Sequence, residues 1–342
     1  MADVLVTGGS GYIGSWCTLA LLHAGHSVRT TVRDLAREPQ VRAMLARGGA
    51  SPEAKVTVVR ADLRSDEGWR AAVTGCDTVL HVASPTLTRP PRNDDEMVRP
   101  AIDGTRRVLR EARAAGVRRV VMTSAIGAIA YGHPPRDTPF TEHDWTNVDA
   151  GIGPYQKSKT LAERAAWDFV AGEGRGLELA TVNPTAVLGP ILGPDYSPSL
   201  YGIARMLDGS MSALLKFATG YVDVRDVASL HLLAMTEPAA AGERFIATAG
   251  HSLWQRDVAA VLRERLGERA AKVPTREMPL WVARALARVN PQMRALRMLL
   301  GRNLDATSAK AERLLGWKAR PIEDTIAETA ESLIGGQLDR HA

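Results

Sequence analysis

Cysteines and long apolar runs are scarce in this 342-residue chain, and each scarcity excludes a class of protein. The two cysteines, Cys17 and Cys76, each lie within a predicted structural element. We therefore expect buried, reduced thiols rather than a disulfide or a metal site. No apolar run reaches the roughly 18 residues that a membrane-spanning helix needs. Met1 leads directly into the first predicted strand, so we expect no signal peptide, no membrane partner and a cytoplasmic location.

A concentrated basic block is also absent. The net charge of +5 and the pI near 9.4 would suit a nucleic-acid-binding protein, but the basic residues are dispersed among acidic ones. We therefore expect an arginine-rich, solvated surface and no nucleic-acid partner. No internal repeat, low-complexity tract or metal-ligand cluster is visible in the sequence, so no metal is expected. The alanine-rich composition, with arginine favoured over lysine, predicts a bacterial source with a GC-rich genome.

A glycine-rich turn near the N-terminus is the first motif that the chain does contain. Gly8, Gly11 and Gly14 lie between the short apolar stretch 4–6 and a run whose apolar residues recur at helical spacing. Gly8 would allow a tight turn, Gly11 a close approach of the backbone to a pyrophosphate, and Gly14 close packing of the helix on the strand. The helix N-terminus would then face the phosphates. A second strand over 27–32 completes the βαβ unit, so the turn predicts dinucleotide binding.

The end of that second strand bears on the choice of cofactor. A carboxylate there would bind the ribose hydroxyls of NAD, whereas a guanidinium would pair with the 2′-phosphate of NADP. Arg33 stands at the tip and Asp34 follows it, which predicts NADPH/NADP+ as the cofactor. In the alternative interpretation Arg33 faces solvent and Asp34 binds the ribose.

Strands and helices alternate along the chain, which predicts an α/β fold with a Rossmann-type, doubly wound parallel sheet. Further strands are expected over 55–60, 78–82, 118–123 and 177–182, and helices over 37–47, 94–115, 155–172 and 322–334. We expect an NADP-binding domain formed by residues 1–190, about 218–250 and parts of the C-terminus. A discontinuous, mostly helical substrate lobe would comprise about 191–217 and 251–342, with helical stretches over 195–217 and 252–300.

Tyr155 and Lys159 form the motif with the clearest chemistry. They lie four residues apart on a predicted helix, so both side chains can reach one ligand. A phenol with an ordinary pKa of about 10 is a poor proton-transfer group at neutral pH, and a neighbouring ammonium is expected to lower that pKa. Thr123 and Ser124 stand at the carboxyl end of the fifth strand, where open α/β sheets hold their ligands.

Together these motifs span essentially the whole chain and resemble the extended short-chain dehydrogenase/reductase family. Residues 31–34 and 81–85 resemble its dihydroflavonol, cinnamoyl-CoA and aldehyde reductase branch. The resemblance implies that Tyr155 is the general acid, that Lys159 holds the nicotinamide ribose and that Ser124 binds the carbonyl oxygen. These reductases usually read Thr-Ser-Ser and use the second serine, which here is Ala125. Either Ser124 takes over that contact, or Thr123 or a water molecule supplies it.

The resemblance also implies the remaining cofactor contacts. Asp62 would meet the adenine amino group, although Asp62 could instead cap a helix, and His81 is expected to be a packed strand residue. Ala130 replaces the asparagine that holds the flavonoid in the plant enzymes, so a different substrate is expected. The other implied cofactor-binding residues are Tyr12, Ile13, Leu63, Val82, Ala83, Ser84, Pro184 and Val187.

These features predict an NADPH-dependent reductase of aldehydes or ketones that carry a bulky apolar or aromatic group. Family resemblance also implies a homodimer. Two alternatives stay open. A nucleotide-sugar epimerase or dehydratase would require an acidic residue at the end of the second strand and a tightly held NAD. A non-catalytic NADP-binding sensor would be favoured by Ala125 and disfavoured by the intact Tyr155 and Lys159.

Overall fold

The computed structural model describes residues 1–85, 89, 91–194, 197–290, 293–294 and 296–336. Parts of the predicted substrate lobe, namely residues 195–196, 291–292, 295 and 337–342, lie outside the described residues. In the part of the chain that the structure describes, no helix combines the length and the apolar composition needed to cross a bilayer.

Short, mostly apolar stretches form the strands. In chain order they are β1 Asp3–Val6, β2 Ser27–Val32, β3 Val56–Arg60, β4 Thr78–His81, β5 Arg119–Thr123, β6 Glu178–Pro184, β7 Ala186–Leu188, β8 Ala218–Thr219, β9 Tyr221–Asp223, β10 Arg244–Ala247, β11 Leu253–Trp254 and β12 Asn303–Leu304. Seven of them form the central sheet in the order β10-β6-β5-β4-β1-β2-β3. Every neighbouring pair in this sheet is parallel, so all carboxyl ends lie at one edge. The strand order reverses between β1 and β4, where such sheets bind ligands.

Helices cover both faces of the sheet. They are α1 Tyr12–His23, α2 Glu38–Arg47, α3 Trp69–Val73, α4 Asp95–Ala114, α5 Pro154–Ala171, α6 Pro198–Asp208, α7 Val224–Thr236, α8 Gln255–Leu266, α9 Leu280–Val289, α10 Ala309–Leu315 and α11 Ile322–Gly336. Alternation along β1 sends Val4 and Val6 into the core beneath α1 and α7, and Leu5 into the core beneath α4 and α5. The predicted Rossmann-type α/β fold is therefore confirmed.

The strands that the sequence predicted are present with small shifts at their ends. The seventh strand of the central sheet, β10, was not predicted, and neither were the short strands β7, β8, β9, β11 and β12. The stretches 195–217 and 252–300 were expected to be helical, and they do contain α6, α8 and α9. However, β11 within the second stretch joins β8 and β12 in a small three-stranded sheet. Strands of two residues are too short to show a period-two pattern, so sequence periodicity cannot reveal them.

Two buried histidines are expected to make the stability of the fold depend on pH. Burial, aided by the charge of Lys159, lowers the pKa of His81 to about 3, and burial lowers the pKa of His231 to about 4. His231 Nδ1 lies 2.7 Å from the carbonyl oxygen of Val227, so it donates there, and Nε2 accepts from Thr123 Oγ1 at 2.7 Å. His81 is confirmed as a packed strand residue, with Nδ1 3.0 Å from Thr7 Oγ1.

We expect acid to destabilise the protein through these two histidines. Histidine in the unfolded chain has a pKa of about 6.5. Below that pH the unfolded state therefore binds protons that the two buried histidines of the folded state do not bind. From pH 7 to pH 5 the free energy of unfolding should fall by about 2 kcal/mol for each histidine. Urea titrations should show this loss reduced in His231→Gln. His143→Gln, which replaces an exposed histidine, is the control and should leave the pH dependence unchanged. An equal pH dependence in wild type and His231→Gln would contradict the prediction.

Candidate active site

The glycine-rich turn joins β1 to α1 with the geometry that its sequence predicts. Gly8 has φ +76°, and a Cβ there would lie 3.1 Å from the Cβ of Ala83. A Cβ at Gly14 would lie 2.2 Å from the carbonyl oxygen of Gly8, so only glycine allows α1 to approach the turn this closely. Gly9, which the sequence analysis did not single out, is equally constrained because its Cβ would lie 2.0 Å from Thr30 Oγ1.

The N-terminus of α1 fits a pyrophosphate. No side chain caps this helix at Gly11, and its first turn carries no acidic residue. A Cβ at Gly11 would meet one neighbour within 4 Å, the carbonyl oxygen of Gly8 at 3.3 Å. The backbone N–H groups of Tyr12, Ile13 and Gly14 are therefore suited to receive phosphate oxygens. The Tyr12 side chain has a structural task instead, because its hydroxyl donates to the carbonyl oxygen of Gly189 at 2.8 Å.

The end of β2 is tied to this turn. The N–H of Gly8 donates to Thr31 Oγ1 at 2.9 Å, which holds the two strand ends together. Arg33 follows two residues later and its side chain is exposed. Asp34 caps the short 3-10 helix Leu35–Arg37, with Oδ1 accepting from the N–H of Ala36 at 2.9 Å. The carboxylate of Asp34 is thus engaged in its own turn, while the guanidinium of Arg33 faces solvent.

The ends of β3 and β4 differ in how well they match the predicted cofactor contacts. Val82, Ala83 and Ser84 are partly exposed, and the N–H of Ala83 donates to Thr7 Oγ1 at 2.9 Å, which sets them beside the glycine turn. Asp62 is half-buried, and its Oδ1 accepts from the N–H of Arg64 at 3.0 Å, as a turn cap does. The Leu63 side chain packs in the core beneath α4, so a cofactor contact there would have to come from its backbone.

Tyr155 and Lys159 lie on the first turns of α5, which begins at Pro154, a favourable residue for the first turn of a helix. Lys159 is buried, and Nζ donates to the carbonyl oxygen of Thr123 at 3.3 Å, at the carboxyl end of β5. Burial lowers the pKa of Lys159 to about 8, although the nearby Glu163 acts in the opposite direction. The lysine that the sequence predicts is therefore held at the carboxyl edge of the sheet.

The pKa of Tyr155 differs from the sequence-based expectation. Tyr155 as a whole residue is 48% exposed where it borders a cleft. Burial, together with Tyr131, raises the pKa of Tyr155 to about 12. The expectation that Lys159 lowers this pKa is wrong for this arrangement. The consequence is that the Tyr155 phenol keeps its proton at neutral pH.

The structure contradicts the predicted catalytic role of Ser124. Ser124 is 2% exposed, and its hydroxyl donates to Glu163 Oε2 at 2.5 Å, inside the protein. The next residue, Ala125, lines the cleft instead. Adjacent residues in extended backbone point to opposite sides, and Ala125 is extended with φ −165° and ψ 161°. Ser124 therefore cannot reach the cleft without leaving its buried partner.

Glu163 organises a polar network behind the cleft that sequence reasoning missed. It is fully buried, and its Oε1 accepts from Arg244 Nε at 2.7 Å and from Thr181 Oγ1 at 3.0 Å. Its Oε2 accepts from Ser124 and from Asn183 Nδ2 at 2.8 Å. Its position one helical turn beyond Lys159 is the one sequence signal that could have revealed it.

A cavity of about 490 Å³ opens beside Tyr155. The main domain contributes Pro184 to its wall, whereas Val187 is buried in the core and pairs with Val222. Val187 could therefore contact a cofactor only through its backbone. The other side is largely apolar. It includes Ile203, Met206, Met211, Leu215, Phe217, Val258, Met278, Met293, Leu296 and Leu299. Among the described residues, no group of three or more metal-ligating side chains is suited to a metal ion.

Comparisons with known proteins find a matching family and similar relatives. A family model described as the NAD dependent epimerase/dehydratase family matches residues 4–247. Cinnamoyl-CoA reductase 1 of Arabidopsis thaliana is 38% identical over 249 residues, which cover 71% of this chain and 70% of that protein. Cinnamoyl-CoA reductase CAD2 of Medicago truncatula is 32% identical over 343 residues, covering 96% of this chain and 95% of that protein.

A solved structure is similar to nearly the whole chain. Yeast methylglyoxal/isovaleraldehyde reductase Gre2, complexed with NADPH, is 25% identical with a TM-score of 0.77. The match covers 97% of this chain and 98% of the yeast protein.

Gly11→Ala should weaken NADPH binding while leaving the fold intact. The added methyl group would meet one protein atom at 3.3 Å, but it would stand at the uncapped helix end that phosphate oxygens must approach. We expect the Kd for NADPH in a fluorescence titration to rise at least about tenfold, equivalent to about 1.4 kcal/mol. Gly335→Ala, in α11 with nothing within 4 Å of the new Cβ, is the control. An unchanged Kd in Gly11→Ala would mean that this turn does not hold the pyrophosphate.

Proposed function

The chain belongs to the NAD dependent epimerase/dehydratase family, and from this premise we propose that it is an NADPH-dependent reductase of aldehydes or ketones carrying a bulky apolar or aromatic group. The observation that carries the proposal is the position of Tyr155. A protonated phenol borders a cavity of about 490 Å³ with largely apolar walls, and Lys159 lies one helical turn away. This arrangement suits proton donation to a substrate that binds by its apolar body.

The relatives support the same chemistry. Two plant relatives are cinnamoyl-CoA reductases, and the similar yeast structure is a methylglyoxal/isovaleraldehyde reductase complexed with NADPH. The exposed Arg33 at the end of β2 suits a 2′-phosphate, and the capping role of Asp34 disfavours the alternative ribose contact. We therefore favour NADPH reduction over the nucleotide-sugar epimerase or dehydratase alternative. A sensor without turnover is also less favoured, because Tyr155 and Lys159 both lie at the proposed site.

Tyr155 and Lys159 would have different roles in the reaction. When bound, NADPH supplies a hydride to the carbonyl carbon. Tyr155 would donate its phenolic proton to the carbonyl oxygen, so that one C–H and one O–H bond form and an alcohol leaves. Lys159, protonated below a pH of about 8, would hold the nicotinamide ribose hydroxyls near the carboxyl end of β5. Water would return a proton to Tyr155 after product release.

The proposal assigns the cofactor to residues 1–190 with about 218–250 and parts of the C-terminus, and the substrate to about 191–217 and 251–342. The lining of the cavity supports this division, because Ala125, Tyr155 and Pro184 contribute one wall while Tyr201 and Met278 contribute another. A cytoplasmic location and a homodimer are included in the proposal. A small-molecule carbonyl compound is the partner, with no role for a nucleic acid or a membrane.

Tyr155→Phe should abolish turnover without disturbing cofactor binding. The substitution removes the proton that a developing alkoxide needs, and loss of a general acid costs about 100- to 10,000-fold in rate. The assay is NADPH oxidation with a panel of aromatic and aliphatic aldehydes, ketones and α-keto esters. The Kd for NADPH, measured by fluorescence, should stay within about twofold of wild type because the ring remains. Full activity in Tyr155→Phe would rule out the proposed mechanism.

Arg33→Ala should shift cofactor preference toward NADH. A hydrogen-bonded guanidinium–phosphate pair contributes about 1.5–3 kcal/mol, so the KM for NADPH should rise about 10- to 100-fold while that for NADH changes little. Arg42→Ala is the matched control, since Arg42 is an exposed arginine of α2 paired with Glu38. An equal rise in KM for both cofactors, or an unchanged KM for both, would show that Arg33 does not bind the 2′-phosphate.

A further inference from the structure

Ala125 places a methyl group where the cleft meets the end of β5, and Ser124 is committed to Glu163. The carbonyl oxygen of a substrate would therefore receive a proton from Tyr155 but no second hydrogen bond from either residue. Developing negative charge on such an oxygen is usually stabilised by more than one positioned donor. The cleft wall beside Tyr155 contains another group that could fill this role.

Tyr131 lines the same cavity as Tyr155 and Ala125. Its hydroxyl is close enough to Tyr155 for the two phenols to interact electrostatically, since Tyr131 contributes to raising the pKa of Tyr155. Gly127 precedes Tyr131 in the chain and lies beside the first turn of α5. A Cβ at Gly127 would be 3.6 Å from Tyr155 Cε1 and from Gln156 Cγ. These are ordinary van der Waals distances, so the segment that carries Tyr131 lies against the first turn of α5.

The backbone around Tyr131 is fixed by hydrogen bonds. Its N–H donates to Thr146 Oγ1 at 3.0 Å, and Thr146 Oγ1 in turn donates to the carbonyl oxygen of Gly127 at 2.9 Å. The N–H of Asn147 donates to the carbonyl oxygen of Tyr131 at 2.9 Å. A donor held in place before substrate binds stabilises a transition state without reorganising.

The proton of the Tyr131 hydroxyl is available for donation. Burial raises the pKa of Tyr131, which keeps the proton on the phenolic oxygen at neutral pH. A protonated phenol can donate one hydrogen bond through this proton.

Resting on the proposed reductase function, we propose that the Tyr131 hydroxyl donates the second hydrogen bond to the carbonyl oxygen of the substrate. Tyr131 transfers no proton. It stabilises the charge that develops on the oxygen while Tyr155 protonates it.

The test compares Tyr131→Phe with the double variant Ala125→Ser/Tyr131→Phe, using a carbonyl substrate that wild type reduces and Tyr155→Phe does not. Tyr131→Phe should lower kcat about 100-fold, the order expected for loss of one such donor, with KM and the Kd for NADPH within about twofold. The double variant returns a hydroxyl to the cleft, and its kcat should be at least about tenfold higher than that of Tyr131→Phe. A purely structural role for Tyr131 would not be rescued in this way.

Ser229→Ala is the control, because it removes a hydroxyl that donates to the carbonyl oxygen of Asp226 at 2.9 Å within α7 and does not line the cavity. It should leave kcat within about twofold of wild type. If Tyr131→Phe does not fold, Ala125→Ser in the otherwise wild-type protein replaces it: kcat should change by less than about twofold if Tyr131 already supplies the second donor, and a rise of about tenfold or more would overturn the proposal. Unchanged kcat in folded Tyr131→Phe, or a change confined to KM, overturns the Tyr131 proposal alone. Absence of turnover by wild type with every carbonyl tested overturns both this proposal and the proposed function.

Discussion

The buried carboxylate of Glu163 is the constraint on which the site geometry depends. A charged group inside a protein is costly unless it is paired and hydrogen-bonded, and Glu163 is fully buried. Arg244 Nε pairs with it at 2.7 Å, and the Arg244 guanidinium also stacks 3.7 Å above the ring of Trp145. Hydrogen bonds from Ser124 and Asn183 complete the shell. These contacts join α5 to β5, β6 and β10, and so orient the helix that carries Tyr155 and Lys159.

The same network explains why the site departs from the pattern that its motifs resemble. Because Glu163 engages Ser124, the strand end offers a hydroxyl to the core and a methyl group to the cleft. Tyr155 then borders a largely apolar cavity that Tyr131 also lines, and the pKa of Tyr155 is raised to about 12. A phenol that retains its proton is suited to the direction of reduction, in which the alcohol oxygen must be protonated. Burial of Lys159 acts on the neighbouring group, lowering its pKa to about 8.

Local sequence signals predicted those parts of the molecule whose causes are local. A glycine with positive φ at Gly8 and the helical spacing of Tyr155 and Lys159 depend on neighbours in the chain, and both are present in the structure. The parallel sheet was predictable because its strands are short, apolar and separated by helices. The strand β10 was missed because it is only four residues long and begins with a charged residue, Arg244, whose partner Glu163 is distant in the chain.

Side-chain direction at the strand ends could not be predicted in the same way. Ser124 and Ala125 differ by one position, and the choice between core and cleft is made by Glu163, which lies 39 residues away in the chain. Leu63 and Val187 likewise face the core because of helices and strands that pack on them later in the chain. The position of the Tyr131 backbone depends on a hydrogen bond to Thr146, 15 residues further along the chain, that no spacing rule reveals.

Following the transferred hydrogen tests the reductase assignment most directly. NADPH carrying deuterium at the transferable position of the nicotinamide would be incubated with the protein and an aromatic aldehyde, and the product would be examined by mass spectrometry. A reductase places one deuterium on the carbinol carbon of each alcohol and forms an equal amount of NADP+. An unlabelled product, or a protein that retains bound NAD and consumes no NADPH, would contradict the assignment and favour an epimerase or dehydratase.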